Sequence, residues 1–436
     1  MSRPSGIADS NGAIDGGVDS SGVVLKEFRK NTDEGQEVTD SSTTDKLNSV
    51  CSRRICIIAK LQSVFFPMKL FGLYFEDVRN PCEGDFSNRK MSIFGKRFYQ
   101  CLVLLVLWLN FSKTLASFWV GSYRDSGSLQ LLAPFLWFLQ TALQASICFK
   151  TMHMTTKKSS LKSLLMYWNS QPNFDELVVE SCMIRYIKRT LMAAYFLMTL
   201  NLVLYAVVLF VPSESVQPLA QALVSPLPIS STAAKTVCFV VFIYCSAAWL
   251  MPFAIFSAVC LTLIHQCYRL RKTLRLTASA DGLPRVKILR QQHSSLCGSV
   301  RKVDNLFKFL TLTVYVTNIP LVCFLFYNLI FVKTNSVTTQ VTLAFWFVTV
   351  SFMMAGVSFL GAQLNSRIHS FTEVVQKVQI SNVDLDTHTE LMLFVAKLNG
   401  DPVAITAGGL VPITKTLIVT VTGVVITYFA LLYELR

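Results

Sequence analysis

The sequence predicts an all-α polytopic membrane protein with seven transmembrane helices, its N-terminus cytosolic and its C-terminus extracellular. Three observations carry that prediction. Of 436 residues, 52% are hydrophobic, only 15% are charged and 32 are phenylalanine, which is too little charge to cover a water-soluble chain of this length. Seven apolar windows are each long enough to cross the roughly 30 Å of a bilayer core, which takes about 20 helical residues. Lysine and arginine crowd into alternate connections.

The elements follow in order. Residues 1–52 are polar, rich in Gly, Ser and Asp, and without an apolar core. They read as a disordered cytosolic tail with no secretory signal. Residues 53–97 read as a cytosolic or interfacial helical segment. Within it "RRICIIAKLQSVFFPMKLFGLYF" is too broken by Pro67 and charge to span. Six spans come next, at about 98–120, 129–149, 190–212, 236–264, 306–332 and 340–362. The connection after the fourth has helical periodicity on both sides of Asp281-Gly282, so helices project beyond the membrane into the cytosol. Asn318-Ile319-Pro320 marks a kink in the fifth helix. Residues 363–407 read as a cytosolic segment, in which "ISNVDLDTHTELMLFVAKLN" reads as an amphipathic helix with Asp384 or Asp386 near its start. The seventh span occupies about 408–433 of a final segment, 408–436.

The charge pattern sets the sidedness. With the N-terminus inside, segments 1–97, 150–189, 265–308 and 363–407 face the cytosol and hold 34 basic residues. The external segments hold Arg124, Lys235, Lys333 and Arg436. Lys113 and Lys415 lie within spans. Residues beside the spans agree, among them Lys96, Arg97, Lys150, Arg269 and Lys272. The net charge of +14 then follows from topology and from anionic lipid at the inner leaflet, with no nucleic-acid partner. The 12 cysteines are scattered, none in a short external loop, which argues against a structural disulfide or a CxxC site. The five histidines show neither HExxH nor zinc spacing. With no catalytic dyad and no metal constellation, the chain is not expected to be an enzyme or to hold a cofactor. The Asn110-Phe111-Ser112 match lies inside a span.

The last span carries a polar stripe. Thr416, Thr420, Gly423, Thr427, Leu431 and Glu434 succeed one another at steps of three or four, so they share one helical face. The other faces carry Leu417, Ile418, Val421, Val425, Phe429, Ala430 and Leu432. Such a stripe suits the wall of a water path. It equally suits helix packing, because small and hydroxyl side chains glue membrane helices together. Lys415 either snorkels to lipid phosphate or serves a pore.

An inside N-terminus with seven spans is the arrangement of arthropod chemoreceptors. "TYFALLYEL" resembles the gustatory receptor signature of Thr-Tyr, five apolar residues and Gln-Phe: Thr427 and Tyr428 match, Glu434 stands where Gln is usual and Leu435 where Phe is usual. "DPVAITAGGLVPITKTLIVTVTGVVITY" is similar to the last helix of the sugar-taste branch, with Thr414 before Lys415. "HSSLCGSVRKVDNLFKFLTLTVYVTNIPLVCFLFYNL" is similar to that branch's fifth helix, in its His, Leu-Cys and Val-Asp spacing.

The resemblance implies a plasma-membrane gustatory receptor, a ligand-gated cation channel built as a homo- or heterotetramer. The small tastant is then a sugar, or a bitter or other non-sugar compound, or the chain is a partner subunit of a heteromer. It implies that 98–362 form a six-helix ligand-binding bundle, 363–407 an anchor helix and 408–436 the pore-lining helix. Thr416, Thr420, Thr427, Leu431, Glu434 and Leu435 would line the pore and gate. Four copies of Glu434 would ring the outer mouth, attract permeant cations and repel anions. A sugar pocket needs aromatic faces and groups that bond hydroxyls. Gln130, Trp137, Tyr205, Tyr244, Tyr327, Asn328, Gln340 and Trp346 are the candidates in the outer halves of the middle helices. A G-protein-coupled receptor would need the opposite sidedness, and a transporter would show inverted repeats.

Overall fold

A computed structural model describes residues 66, 68–73, 87–120, 128–153, 163–164, 167–168, 180–212, 216–279, 286–331, 337–375, 385–400 and 403–434. The helices in chain order are α1 (Ser87–Val120), α2 (Ser128–His153), α3 (Glu180–Phe210), the short α4 (Gln217–Val224), α5 (Thr232–Ser279), α6 (Val286–Phe331), α7 (Val337–His369), α8 (Phe371–Val375), α9 (Leu385–Leu398) and α10 (Lys415–Glu434). The tail at 1–52 and the turn at Asp281-Gly282 lie outside the described residues, as do most of 53–86.

Among the described residues, seven helices are long and apolar enough to cross a membrane: Gly95–Trp119, Leu131–Thr151, Arg185–Phe210, Thr232–Leu276, Val286–Phe331, Val337–Val375 and Lys415–Glu434. The expected count of seven is met. Two helices overshoot. α5 has 48 residues and α6 has 46. At 1.5 Å per residue each is roughly 70 Å long, more than twice the hydrocarbon thickness. They continue because "HQCYRLRKTLRL" and "VKILRQQHSSLCGSVRKVDN" hold good helix formers at helical spacing. Both helices project at the end of the bundle that carries Arg269, Arg271, Lys272, Lys287 and Arg290, here called the basic end. α6 runs on as one helix through Pro320.

α6 is the hub: it packs against α2, α5, α7, α9 and α10. α3 lies along α5, and α1 against α2. Within the apolar windows, 78% of α5 and 61% of α6 are buried, against 6% of α10. The core is thus built around α5 and α6, and α10 rests outside it, on α6 and α7.

Two sequence expectations differ from the structure near the C-terminus. The anchor segment 363–407 is not one helix: α7 ends at His369 and α8 follows, while α9 is the expected amphipathic helix, with Asp386 in its first turn. The seventh helix begins at Lys415, not at 408. Residues 406–412 instead fold as a small hairpin, β1 (Thr406–Ala407) paired antiparallel with β2 (Val411–Pro412). Gly408 and Gly409 turn it at φ +69° and +79°, a backbone region that costs a side-chain-bearing residue about 1 kcal/mol or more. At the basic end Arg290 pairs with Glu390 at 2.8 Å, tying α6 to α9, and Arg271 with Glu373 at 3.3 Å, tying α5 to α8. His293 packs its ring edge-on between Phe371 and Phe394.

Candidate functional site

α10 has 20 residues, so it covers about 30 Å, one bilayer core. One seam touches the bundle. Val421 is buried, and Leu417, Ile418, Val425, Phe429 and Leu432 are half-buried. Phe429 lies on Phe326 of α6 with ring centres 4.5 Å apart, and Tyr433 on Phe331 at 5.8 Å. The striped face points the other way. Thr416, Thr420, Gly423, Thr427, Leu431 and Glu434 are all exposed. At 100° per residue their mean direction is roughly 150° from the seam. The hydroxyls are oriented. Thr420 donates to the carbonyl of Thr416 at 3.1 Å, and Thr427 to that of Gly423 at 3.0 Å. Each donor is spent on its own helix, which leaves the oxygen lone pairs directed outward. Glu434 ends the helix at the end opposite Lys415, and Tyr428 of the signature pair is exposed beside the stripe. Leu435 lies outside the described residues.

A second constellation sits inside the bundle between α2, α3, α5 and α7. Tyr205 of α3 stacks flat on Phe242 of α5, ring centres 3.5 Å apart. Trp137 of α2 lies against Phe242 at 4.9 Å and edge-on to Trp249 at 5.7 Å. Trp346 of α7 donates its indole N–H to Asn201 at 2.9 Å, and Asn201 donates to Ser246 at 3.0 Å. In the amide orientation that satisfies both its ends, Gln144 donates to the Ala248 carbonyl at 2.9 Å and accepts from Gln140 at 3.3 Å. Asn201, Gln140 and Gln144 are fully buried.

Of the eight ligand candidates, the structure brings Trp137, Tyr205 and Trp346 to this level. Tyr244 turns elsewhere, its hydroxyl 3.3 Å from that of Tyr99 and its ring edge-on to Phe71. Tyr327 packs on Phe331 beside α10. Asn328 is buried, and its side-chain oxygen has no hydrogen-bond partner among the described residues. Gln340 is exposed. Gln130 is in α2, its side chain outside the described residues. Sequence reasoning missed Asn201, Ser246, Gln140 and Gln144. Their signal was present, because an amide inside an apolar span is costly unless partnered.

Residues 255–436 match the family model described as Trehalose receptor. No curated protein matches the chain in sequence. Among solved structures, the insect olfactory receptor OR5 from Machilis hrabei superposes with a TM-score of 0.64 at 15% identity, covering 88% of this chain and 100% of that one. The same receptor in complex with eugenol gives 0.66 at 15% identity, with the same coverage. The family match covers the C-terminal part of the chain, and the likeness to the solved olfactory receptor shows a fold shared along most of its length.

Proposed function

We propose that this protein is a gustatory receptor that works as a ligand-gated, non-selective cation channel opened by a small tastant, with a sugar as the first candidate. One observation carries the reading: the hydroxyl stripe of α10 faces directly away from the only bundle it touches among the described residues. A threonine face gains nothing from lipid, which offers hydroxyls no partners. Four copies around an axis would turn these faces onto a shared water path. The outward lone pairs would then meet the hydration shells of cations, and four Glu434 carboxylates would repel anions at one mouth. The sidedness taken with this reading puts the basic end in the cytosol and Glu434 outside.

The ligand site of this reading is the level of Trp137, Tyr205, Phe242 and Trp346. Aromatic faces suit the C–H faces of a sugar, and Asn201 suits its hydroxyls. The trehalose-receptor match supports the sugar. Opening a mostly closed channel takes roughly 5.5 kcal/mol of differential affinity, which four sites share at about 1.4 kcal/mol each, or tenfold per site. A second reading, a less polar ligand, is favoured by one feature: Asn201 and the Trp346 indole already satisfy each other, so that pair offers a ligand hydroxyl little.

The test is to express the chain alone and with other gustatory subunits, and to record currents under a sugar panel and then a panel of bitter compounds. Sugar-evoked cation currents support the reading; a tastant response carried entirely by a co-expressed subunit makes the chain a partner. An epitope placed after Arg436 and reachable only in permeabilised cells would overturn the sidedness.

A further inference from the structure

The hairpin that precedes α10 is fastened to one face of α6. Asp304, Lys308, Thr311 and Leu312 succeed one another along that face at helical spacing. The side-chain oxygen Oδ1 of Asp304 accepts both the backbone N–H of Thr406, at 2.6 Å, and the Thr406 hydroxyl, at 2.7 Å. The Thr406 oxygen in turn accepts the N–H of Gly409 at 3.1 Å, closing the turn. Thr311 donates to the Thr406 carbonyl at 2.7 Å, and the Gly408 N–H donates to the Lys308 carbonyl at 2.7 Å. A Cβ on Gly408 would stand 2.9 Å from the Leu312 side chain, so the turn lies flat on α6. One residue past the ladder, Ile413 is fully buried and bonds back to Ile405 at 2.8 Å. Thr414 then accepts the N–H of Leu417 at 3.3 Å and caps α10.

Beyond that cap the fastening stops. Val421 is the one buried residue of α10. The polar contact recorded between its shaft and α6 is a thiol–carbonyl approach of 3.7 Å, from Cys323 to Val425. The root of the helix is held by charge-assisted and backbone bonds, and its shaft by a narrow apolar seam.

We propose that Asp304 and Thr406 form a clip that fixes the root of α10 to α6, so that any displacement of α6 moves α10 at its root while the shaft pivots about it. Asp304 is a positioning residue: it touches neither the stripe nor the aromatic level. The functional part of the inference rests on the channel reading above, in which the clip passes movement of the ligand-binding bundle to the pore helix.

Two measurements on the full chain separate the clip from that reading. The first is amide hydrogen exchange on purified protein in nanodiscs. In the wild type the Thr406, Gly408 and Ile413 amides are protected. Asp304→Ala speeds exchange at Thr406 and Gly408 by at least about tenfold, the order expected for losing bonds to a charged acceptor, and leaves Val421 unchanged. Equal exchange in the two proteins overturns the clip, whether or not the chain conducts. The second is current recording with trehalose as the probe. Asp304→Ala lowers the ratio of saturating to ligand-free current by at least about tenfold, and Thr406→Ser, which keeps both donors, stays within about twofold of wild type. Should Asp304→Ala not reach the surface, Thr406→Val, which loses the hydroxyl that donates to Asp304 and accepts from Gly409 but keeps the backbone donor, gives about a threefold fall. An unchanged ratio in a conducting variant with raised exchange overturns the transmission role. A wild type silent with and without trehalose, but with raised exchange in Asp304→Ala, supports the clip and counts against the channel reading instead.

Discussion

The indole N–H of Trp346 donates to Asn201 at 2.9 Å, joining α7 to α3, and Asn201 donates on to Ser246 of α5 at 3.0 Å. Three helices meet through one buried amide. Trp346→Phe leaves the Asn201 oxygen without its donor, a loss of about 0.6–2 kcal/mol, the range for hydrogen bonds between membrane helices. Asn201→Leu removes both bonds. If the two act as a pair, the double variant is less destabilised than the sum of the singles. Thermal unfolding of detergent-solubilised protein checks this, and strict additivity would remove the coupling.

Glu434 gives the second prediction. It stands exposed at the end of the hydroxyl stripe, where the channel reading stacks four carboxylates around one axis. Glu434→Gln keeps the size and removes the charge. Cation-over-anion preference should fall, and rectification should change. Glu434→Lys should reverse the preference or block conduction, because a ring of like charge sets the local ion concentration. Reversal potentials across a salt gradient report the outcome. Identical potentials in wild type and both variants take Glu434 out of the ion path.

Some of this architecture can be read from sequence and some cannot, and particular residues show why. Hydropathy finds seven spans because each apolar window exceeds the bilayer thickness. The stripe from Thr416 to Glu434 is visible because helical periodicity names a face without knowing its neighbour. The hairpin is invisible to the same measure: "AITAGGLVPI" is apolar, so a window runs straight through it. The warning lay in Gly408-Gly409 and Pro412, which are turn and strand-edge chemistry rather than helix chemistry. The aromatic level shows another limit. Phe242, Ser246 and Trp249 share one face of α5, whereas Tyr244, two residues from Phe242, lies roughly 200° around the helix. Residue type alone cannot choose between those faces, and Tyr244 accordingly meets Tyr99 instead.

The ion pair between Arg290 and Glu390 gives a third prediction. Its partners sit on α6 and α9, 2.8 Å apart, with side chains 29% and 22% exposed. Partial exposure to water screens the attraction, so its value is about 1 kcal/mol or less. Arg290→Glu sets two carboxylates against each other and should lower the melting temperature. The double exchange, Arg290→Glu with Glu390→Arg, should recover most of the loss. Recovery no better than the single variant would mean that the two helices are held by their apolar contacts alone.

Gly361 of α7 lies against the buried Ile413 that roots α10. A Cβ at position 361 would stand 2.8 Å from Cγ2 and 2.9 Å from Cβ of Ile413. The second of these atoms is at the base of the side chain and cannot rotate away, so one backbone must shift. Gly361→Ala should therefore cost about 1–3 kcal/mol, the usual range for overpacking. Ile413→Ala alone should cost about 2–5 kcal/mol through the cavity it leaves. In the double variant the added methyl group occupies part of the vacated space, so the combined loss should fall short of the sum by about 1 kcal/mol or more. Unfolding of the four proteins in the same detergent measures the cycle. A Gly361→Ala protein as stable as wild type would show that α7 and the root of α10 stand further apart than this contact requires.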